Sequence, residues 1–487
     1  MAAYVSTHIN PWLIKMKEVQ TRKLGDRVFR APLIKPWRIA RKIVPRPKSR
    51  HLTPLVIVYG FAGTIVLGTI LLLLPISNNT GGFTPFIDAL FTSTSAVCVT
   101  GLVVVDTGTF WSSFGQGVIL ALIQIGGFGI MTSATIFLLV LGRRIGLRER
   151  LLIGQSMGLG RLGGLVRLVK RIALFTILFE VVGAALFYIR FSTESPPGTA
   201  VWKSIFQSVS SFNNAGFDIF GNFRSMLDYQ GDILIVLVTA VLVLIGGISY
   251  LVVADVFTTR RLTRLSTDTK LVLATTASLI VLGMIVILFT EYSDPGTLGT
   301  LPFSQKLLVS FFQSVTPRTA GFTIIDIGSL AHFALIFTMV LMFIGGASGS
   351  TAGGIKVNTF GMLVATIWSS LRGREYAGVF GREFKAQQIY RALAVVLLSL
   401  AFVTMVVFLL EITEEFSFLD LLFETFSAFG TVGLSTGITP DLSTAGRLIL
   451  TFTMFVGRLG PLALVLYLVH RQQPSTHRFP QEEIRIG

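Results

Sequence analysis

The chain alternates long apolar runs with short polar segments. One run covers residues 55–74, between Pro54 and Pro75. Others cover 117–141, 172–189, 233–253, 271–290, 333–343, 392–410 and 448–469. Most reach or approach the about 20 residues that a helix needs to cross a hydrocarbon core about 30 Å thick. The pattern predicts an all-α polytopic membrane protein with eight crossings.

Between each pair of crossings lies a shorter segment with one grammar. A phenylalanine precedes a glycine by ten positions, a Ser/Thr-rich stretch fills the gap, and Leu or Phe follows. The pairs are Phe91 with Gly101, Phe206 with Gly216, Phe311 with Gly321, and Phe423 with Gly433. The glycines are 115, 105 and 112 residues apart. Each segment is too short to span and suits a re-entrant half-helix. The expected half-helices are Phe91–Val97, Ile205–Phe212, Lys306–Ser314 and Leu421–Phe429. The unit is therefore crossing, half-helix, glycine loop, crossing, repeated four times around one pseudo-fourfold axis. The expected segments are a tail 1–50, repeats 51–142, 143–257, 258–367 and 368–470, and a tail 471–487.

The residue types point to a chemistry. Irregular backbone at membrane depth is tolerated only where it is buried in protein or lines water. A cation leaving water exchanges its hydration shell for oxygens, and a ring of backbone carbonyls supplies them. Glycine reaches the φ values that aim consecutive carbonyls the same way and lets the backbone approach the ion. Half-helix C-termini aimed at the axis add partial negative charge. Glycine turns between packed helices are the plainer reading of any one segment; four copies in the same slot favour an ion filter. Its residues would be Val99, Thr100 and Gly101; Asn214, Ala215 and Gly216; Thr319, Ala320 and Gly321; Thr431, Val432 and Gly433. Asp106, Asp218 and Asp326 follow these glycines and would either attract cations at the mouth or cap turns.

Charge fixes the orientation. Only 14% of residues are charged, against about 25% in soluble domains. The net charge is +16, yet 33 of the 41 basic residues lie in 1–50, 143–171, 258–270, 372–391 and 471–487. These are the tails and every second loop, which predicts cytoplasmic termini and argues against nucleic-acid binding. Anionic lipid headgroups are the expected partners of the basic tail. The first 50 residues are too charged for a cleavable signal. Cys98 is the single cysteine, and the histidines at 8, 51, 332, 470 and 477 have no metal-ligand spacing. Gly158, Gly160 and Gly163 fit a dinucleotide-loop spacing without its strand-helix context, and Gly349–Gly354 lacks the Lys-Ser/Thr of a phosphate loop. No catalytic cluster is visible, so an enzyme is not expected. Glu180 sits inside a crossing with no partner legible in sequence.

At these glycine loops the chain resembles the Trk/Ktr/HKT superfamily of K⁺ transporters, and the likeness covers about residues 50–470. With no apolar run before residue 54, it is similar to the eight-helix Ktr-type membrane subunit. The resemblance implies four filter glycines at Gly101, Gly216, Gly321 and Gly433, with K⁺ at their carbonyls. Na⁺-preferring plant relatives place serine at the first of them, so Gly101 implies K⁺. It also implies a homodimer, a cytosolic nucleotide-binding ring subunit docking on 143–171 and 372–391, no covalent cofactor, and K⁺ or Na⁺ as transported or activating ions. An ion-coupled symporter with discontinuous helices, Na⁺-driven or Na⁺-selective, is the alternative.

Two further segments match the superfamily. Residues 345–354 interrupt an apolar stretch with Gly345, Gly346, Ser348, Gly349, Ser350, Thr351, Gly353 and Gly354, and Lys356 follows. The resemblance implies a gating loop beneath the filter; a small-residue packing face is the alternative. Arg458, between Gly457 and Gly460, would face the pore below the filter or snorkel to the cytoplasmic surface.

Overall fold

The computed structural model describes residues 55–129, 132 and 165–460. The tails 1–50 and 471–487, most of the basic loop 143–171, residues 158–163 and the distal parts of the runs 117–141 and 448–469 lie outside the described residues.

One order of helices recurs four times. A long helix comes first: α1 (Leu55–Leu73), α4 (Leu165–Phe191), α8 (Thr267–Glu291) and α12 (Ala386–Thr413). A short helix and a glycine loop follow: α2 (Phe86–Cys98), α5 (Pro197–Phe212), α9 (Phe303–Val315) and α13 (Phe418–Gly430). Then comes a second apolar helix: α3 (Ser113–Phe128), α6 (Ile233–Ile248), α10 (His332–Phe343) and α14 (Thr444–Leu459). Two more helices, α7 (Tyr250–Thr259) and α11 (Val357–Leu371), continue α6 and α10 beyond breaks. A small hairpin pairs β1 (Gly378–Val379) with β2 (Arg382–Glu383). Among the described residues α4, α8 and α12 are each long and apolar enough to cross a membrane, and the bent pair α6–α7 would make a fourth.

The short helices begin earlier than the apolar pattern suggests. Pro85, Pro196 and Pro302 stand at the N-caps of α2, α5 and α9, and the Ser417 hydroxyl accepts the Asp420 N–H at 3.2 Å to start α13. Proline is tolerated at a helix start because the first N–H groups have no intrahelical partner. The third repeat also has a different register. Phe91, Phe206 and Phe423 are buried in the core as their spacing predicts, but there the buried ring is Phe312, not Phe311.

Small residues let the short helices pack deep among the long ones. Ser93, Ser208 and Ser314 donate to the carbonyls of Ile65, Glu180 and Ile280 at 2.8, 2.6 and 2.7 Å. Gly68, Gly183 and Gly283 leave the room, since a Cβ on each would overlap the serine hydroxyl.

The second helices depart from the one-run, one-crossing expectation. The run 233–253 is two helices bent by 93°. α3 stops at Gly129 (φ 76°), α6 at Ser249 (φ 82°) and α14 at Gly460 (φ 82°). α10 stops at Phe343, and residues 344–356 form a loop. Just before three of these breaks, Gly126, Gly246 and Gly457 lie against the terminal carbonyls of Val97, Phe212 and Phe429. A Cβ at Gly126 or Gly457 would overlap that oxygen, whereas one at Gly117 would meet nothing within 4 Å. Gly126→Ala and Gly457→Ala are therefore expected to cost about 1–3 kcal/mol each through overpacking. Gly117→Ala should be neutral or stabilising by up to about 1 kcal/mol. Thermal melting of the detergent-purified variants reads the difference, and equal melting of Gly126→Ala and Gly117→Ala contradicts this packing.

Candidate functional site: a ring of glycine loops and the loop beneath it

The four glycine loops meet. A Cβ on Gly101 would lie 3.0 Å from the Cα of Gly216, and one on Gly216 would lie 3.0 Å from the Cα of Gly321. One on Gly321 would lie 3.2 Å from the Cα of Gly433, and one on Gly433 would lie 3.0 Å from the Cα of Gly101. The same added atoms would press on the carbonyl oxygens of Ala215, Ala320, Val432 and Thr100. The ring therefore closes on bare backbone, and no side chain fits at any of its four corners.

The backbone is wound alike in each loop. Gly101, Gly216, Gly321 and Gly433 have φ of 92°, 71°, 76° and 94°. Two residues earlier, Val99, Asn214, Thr319 and Thr431 have φ of 58°, 59°, 68° and 51°. Such values are rare outside glycine, and for β-branched Val and Thr they mark strain held by the surroundings.

Hydroxyls hold that winding. The Ser95 and Ser427 oxygens each accept the N–H of Gly101 and Gly433, both at 3.1 Å. The Ser210 and Thr316 hydroxyls donate instead to the carbonyls of Phe217 and Phe322, each at 2.5 Å. The Ser/Thr-rich stretches thus tie down groups around the carbonyls and leave the carbonyls themselves free. Among the described residues no donor reaches the carbonyls of 99–101, 214–216, 319–321 or 431–433. Eleven of these twelve residues are buried, all but Gly433. Buried carbonyls are nearly always paired. Twelve without a donor among the described residues, around one ring, have the chemistry to coordinate a cation that prefers hard oxygens.

Beyond the glycines the loops enclose a cavity of about 570 Å³ lined by Asp106, Asp218, Asp326 and Asp441. Three of these carboxylates also brace backbone. Asp106 accepts the N–H groups of Thr109 and Phe223 at 2.8 and 2.9 Å, Asp218 that of Phe220 at 3.2 Å, and Asp326 that of Gly328 at 3.1 Å. Burial pushes the Asp218 carboxyl up to about 6; the Phe220 N–H opposes this and Asp106 adds to it.

On the half-helix side of the ring lies the loop 344–356, which holds Gly345, Gly346, Ser348, Gly349, Ser350, Thr351, Gly353 and Gly354. It contacts the second and fourth repeats directly, and Arg458 links it to the first. The Ala347 N–H donates to Gly247 O at 2.8 Å, and the Thr351 hydroxyl donates to Asn214 Oδ1 at 3.1 Å. Gly353 lies so close to the Thr431 hydroxyl that a Cβ would overlap it. Arg458 donates one Nη to Thr351 O and the other to Gly126 O, so it anchors the loop across the axis and does not snorkel. Lys356 finds its partner inside the loop, donating to Ala352 O at 2.6 Å. Proximity thus gathers the twelve ring residues into one group, and nine loop residues with Arg458 of α14 into another beside it.

Several contacts were not legible in sequence. Glu180 Oε1 accepts from Asn213 Nδ2 at 3.0 Å, and the same amide donates to Gln124 Oε1 at 2.9 Å. This ties the first helix of the second repeat to the second helix of the first, directly behind Asn214. Arg447 and Asp88 form an ion pair at 2.6 Å between the last and first repeats. Cys98 is wholly buried beside the first loop as a small packing residue.

Known proteins place this arrangement. The chain is 44% identical over 438 residues to the Ktr system potassium uptake protein B of Bacillus subtilis, covering 90% of this chain and 97% of that one. It is 37% identical to the potassium/sodium uptake protein NtpJ of Enterococcus hirae, covering 91% and 100%, and 37% identical to the Ktr system potassium uptake protein B of Vibrio alginolyticus, covering 91% and 96%. The solved structure of the potassium transporter TrkH from Vibrio parahaemolyticus superposes with a TM-score of 0.67 at 20% identity, over 89% of this chain and 88% of that one, which establishes a shared fold. These relatives are ion transporters of the membrane, not enzymes. The cation transport protein family TrkH matches from residue 46 to residue 478, and the chain belongs to that family.

Proposed function

We propose that this chain is the membrane subunit of a Ktr-type K⁺ uptake system and conducts K⁺ through one pore at the centre of four repeats. The observation that carries this reading is the ring of buried carbonyls without donors around Gly101, Gly216, Gly321 and Gly433. Val99, Asn214, Thr319 and Thr431, with Thr100, Ala215, Ala320 and Val432, complete the filter. Eight crossings and four re-entrant half-helices surround it, and the cavity with Asp106, Asp218 and Asp326 is its outer mouth. The loop 345–354, with Lys356 and Arg458, is the gate on the cytoplasmic side.

The relatives named as Ktr system subunits support K⁺ as the ion and a separate regulatory subunit as the controller. We place that nucleotide-binding subunit against the cytoplasmic loops of a homodimer, with both termini in the cytoplasm and the basic tail on anionic lipid. The relative named for potassium and sodium uptake favours a second reading, in which Na⁺ is coupled or carried. Growth of a K⁺-uptake-deficient strain at low K⁺, with and without Na⁺ and the regulatory subunit, tests both. Failure to rescue with correctly inserted protein rejects K⁺ uptake, and rescue only with Na⁺ supports the second reading.

Gly101→Ser puts a side chain where a Cβ already meets the Ala215 carbonyl. It should displace part of the ring and lower K⁺ over Na⁺ selectivity by about an order of magnitude, since about 1.4 kcal/mol of lost discrimination is tenfold. Bi-ionic flux into vesicles measures this, and an unchanged ratio in all four Gly→Ser variants removes the filter assignment.

Deleting residues 348–353 or replacing Arg458 by Gln should raise flux several-fold and weaken dependence on the regulatory subunit while K⁺ preference stays. Rubidium uptake reads the rate. Loss of transport in folded protein, or selectivity falling along with rate changes, would make the segment structural.

The raised Asp218 pKa has a definite sign. As external pH falls through about 6, Asp218 takes up a proton and the mouth loses a negative charge. KM for K⁺ should rise between pH 8 and pH 5, whereas Asp218→Asn should have the higher KM throughout and a flatter profile. Parallel profiles for the two proteins contradict a role for this charge.

A further inference from the structure

The loop 344–356 has a hold that neither the ring nor Arg458 supplies. The Ser348 N–H donates to Asn358 Oδ1 at 3.0 Å. The Asn358 amide then donates to a carboxylate oxygen of Asp268, in the first turn of α8. Asn358 follows the loop on α11, and Asp268 comes 90 residues earlier, so the contact joins two elements that sequence keeps apart. α8 itself is tied to α7. Asp255 of α7 accepts the Thr269 hydroxyl at 2.6 Å and the Ser266 N–H at 3.1 Å. α7 leaves α6 at the 93° bend, and the Gly247 carbonyl just before that bend accepts the Ala347 N–H.

We infer that Asp268 and Asn358 are positioning residues that set the resting place of the loop, a reading that rests on the loop being the gate. Asn358 joins the loop to Asp268: its oxygen takes the loop N–H and its nitrogen donates to the carboxylate. An amide does both at once, whereas a carboxylate at 358 facing the Asp268 carboxylate would have no proton to share. The carboxylate of Asp268 in turn fixes which way the amide faces. A movement of α7 or of residues 260–266 shifts the first turn of α8 and thereby the Ser348 end of the loop. Arg458 holds the Thr351 end, so the two anchors grip opposite ends of one short segment. The segment feeding the anchor is accessible from outside the fold, since Phe257 and Leu262 are 70% and 76% exposed.

The test is a swap in the full-length chain with its regulatory subunit, read by rubidium uptake into vesicles. Asn358→Asp sets two carboxylates together and should raise basal uptake two- to fivefold without changing the K⁺/Na⁺ ratio. Asp268→Asn/Asn358→Asp restores both hydrogen bonds, with Asp at 358 accepting from Ser348 and from the new amide, and should return uptake to the wild-type level. Asp268→Ala should match Asn358→Ala, and the double alanine variant should match either alone. The 348–353 deletion is run beside them. If the deletion raises uptake but the single variants do not, or the swap fails to restore a raised rate, the anchor is refuted and the gate reading stands. If the deletion has no effect on uptake, the gate reading fails and the anchor falls with it. Loss of uptake in folded Asn358→Asp that the swap does not reverse assigns the pair to folding and overturns the inference.

Discussion

The structure depends on carbonyl groups left without donors inside a membrane protein. An unpaired buried carbonyl is costly, commonly about 1–3 kcal/mol. Twelve carbonyls without donors among the described residues, eleven of them on buried residues, persist only if the surrounding fold over-determines them. That constraint accounts for features that look unrelated in sequence. Proline or serine caps start the short helices at fixed points. Glycines at 68, 183 and 283 let serines bond the backbone of the long helices and set the depth of the short ones. Ser95, Ser210, Thr316 and Ser427 hold the groups that flank the ring. Nothing in this set supplies a donor to the ring itself, so the position of the oxygens is fixed while their partner is left to a ligand.

The repeats share the ring but divide other tasks. Each second helix breaks at a comparable place, at Gly129, Ser249, Phe343 and Gly460. The third break opens into a loop that reaches the second and fourth repeats directly and the first through Arg458. It does so by borrowing backbone groups that the other breaks set free: Gly246 and Gly247 accept from the loop, and Gly126 accepts from Arg458. A helix break inside a membrane leaves polar groups that need partners. Here the breaks satisfy one another, which couples the loop to the whole ring and not to one wall of it.

The four ring glycines, the loop at 345–354 and the depth of Arg458 were legible because each breaks a local rule. Glycine clusters or a charge inside an apolar stretch are hard to explain as ordinary helix. The breaks at Gly129, Ser249 and Gly460 were not, because the residues on either side stay apolar, and hydropathy reports contact with lipid or core, not helicity. A signal was present in the Gly-Gly pairs 126–127, 246–247 and 345–346, which recur at one place in three repeats. The one-residue shift that buries Phe312 in place of Phe311 was hidden because two adjacent phenylalanines satisfy either register. The Glu180–Asn213 and Asp268–Asn358 contacts span 33 and 90 residues, and no local pattern carries such pairings.

The charged groups near the axis follow one further logic. Among the described residues, the ion pairs lie at Arg190, Arg224 and Arg447; Arg224 lines the cavity beyond the ring, and none of them touches the loop. The basic groups nearest the axis end on carbonyls instead: Arg458 on Thr351 and Gly126, Lys356 on Ala352, and Arg318, two residues before Ala320, on Thr276. A carboxylate beside any of them would form a tight pair, and in low dielectric such a pair resists separation. Carbonyls hold the fixed cations firmly enough to shape the loop. The division between loop and ring is then positional: carbonyls at the helix breaks are occupied by N–H groups of the loop and by Arg458, and carbonyls at the glycine ring have no donor among the described residues. On the proposed reading of ring and loop, rate and selectivity can be set separately because the oxygens assigned to each job belong to different parts of the backbone.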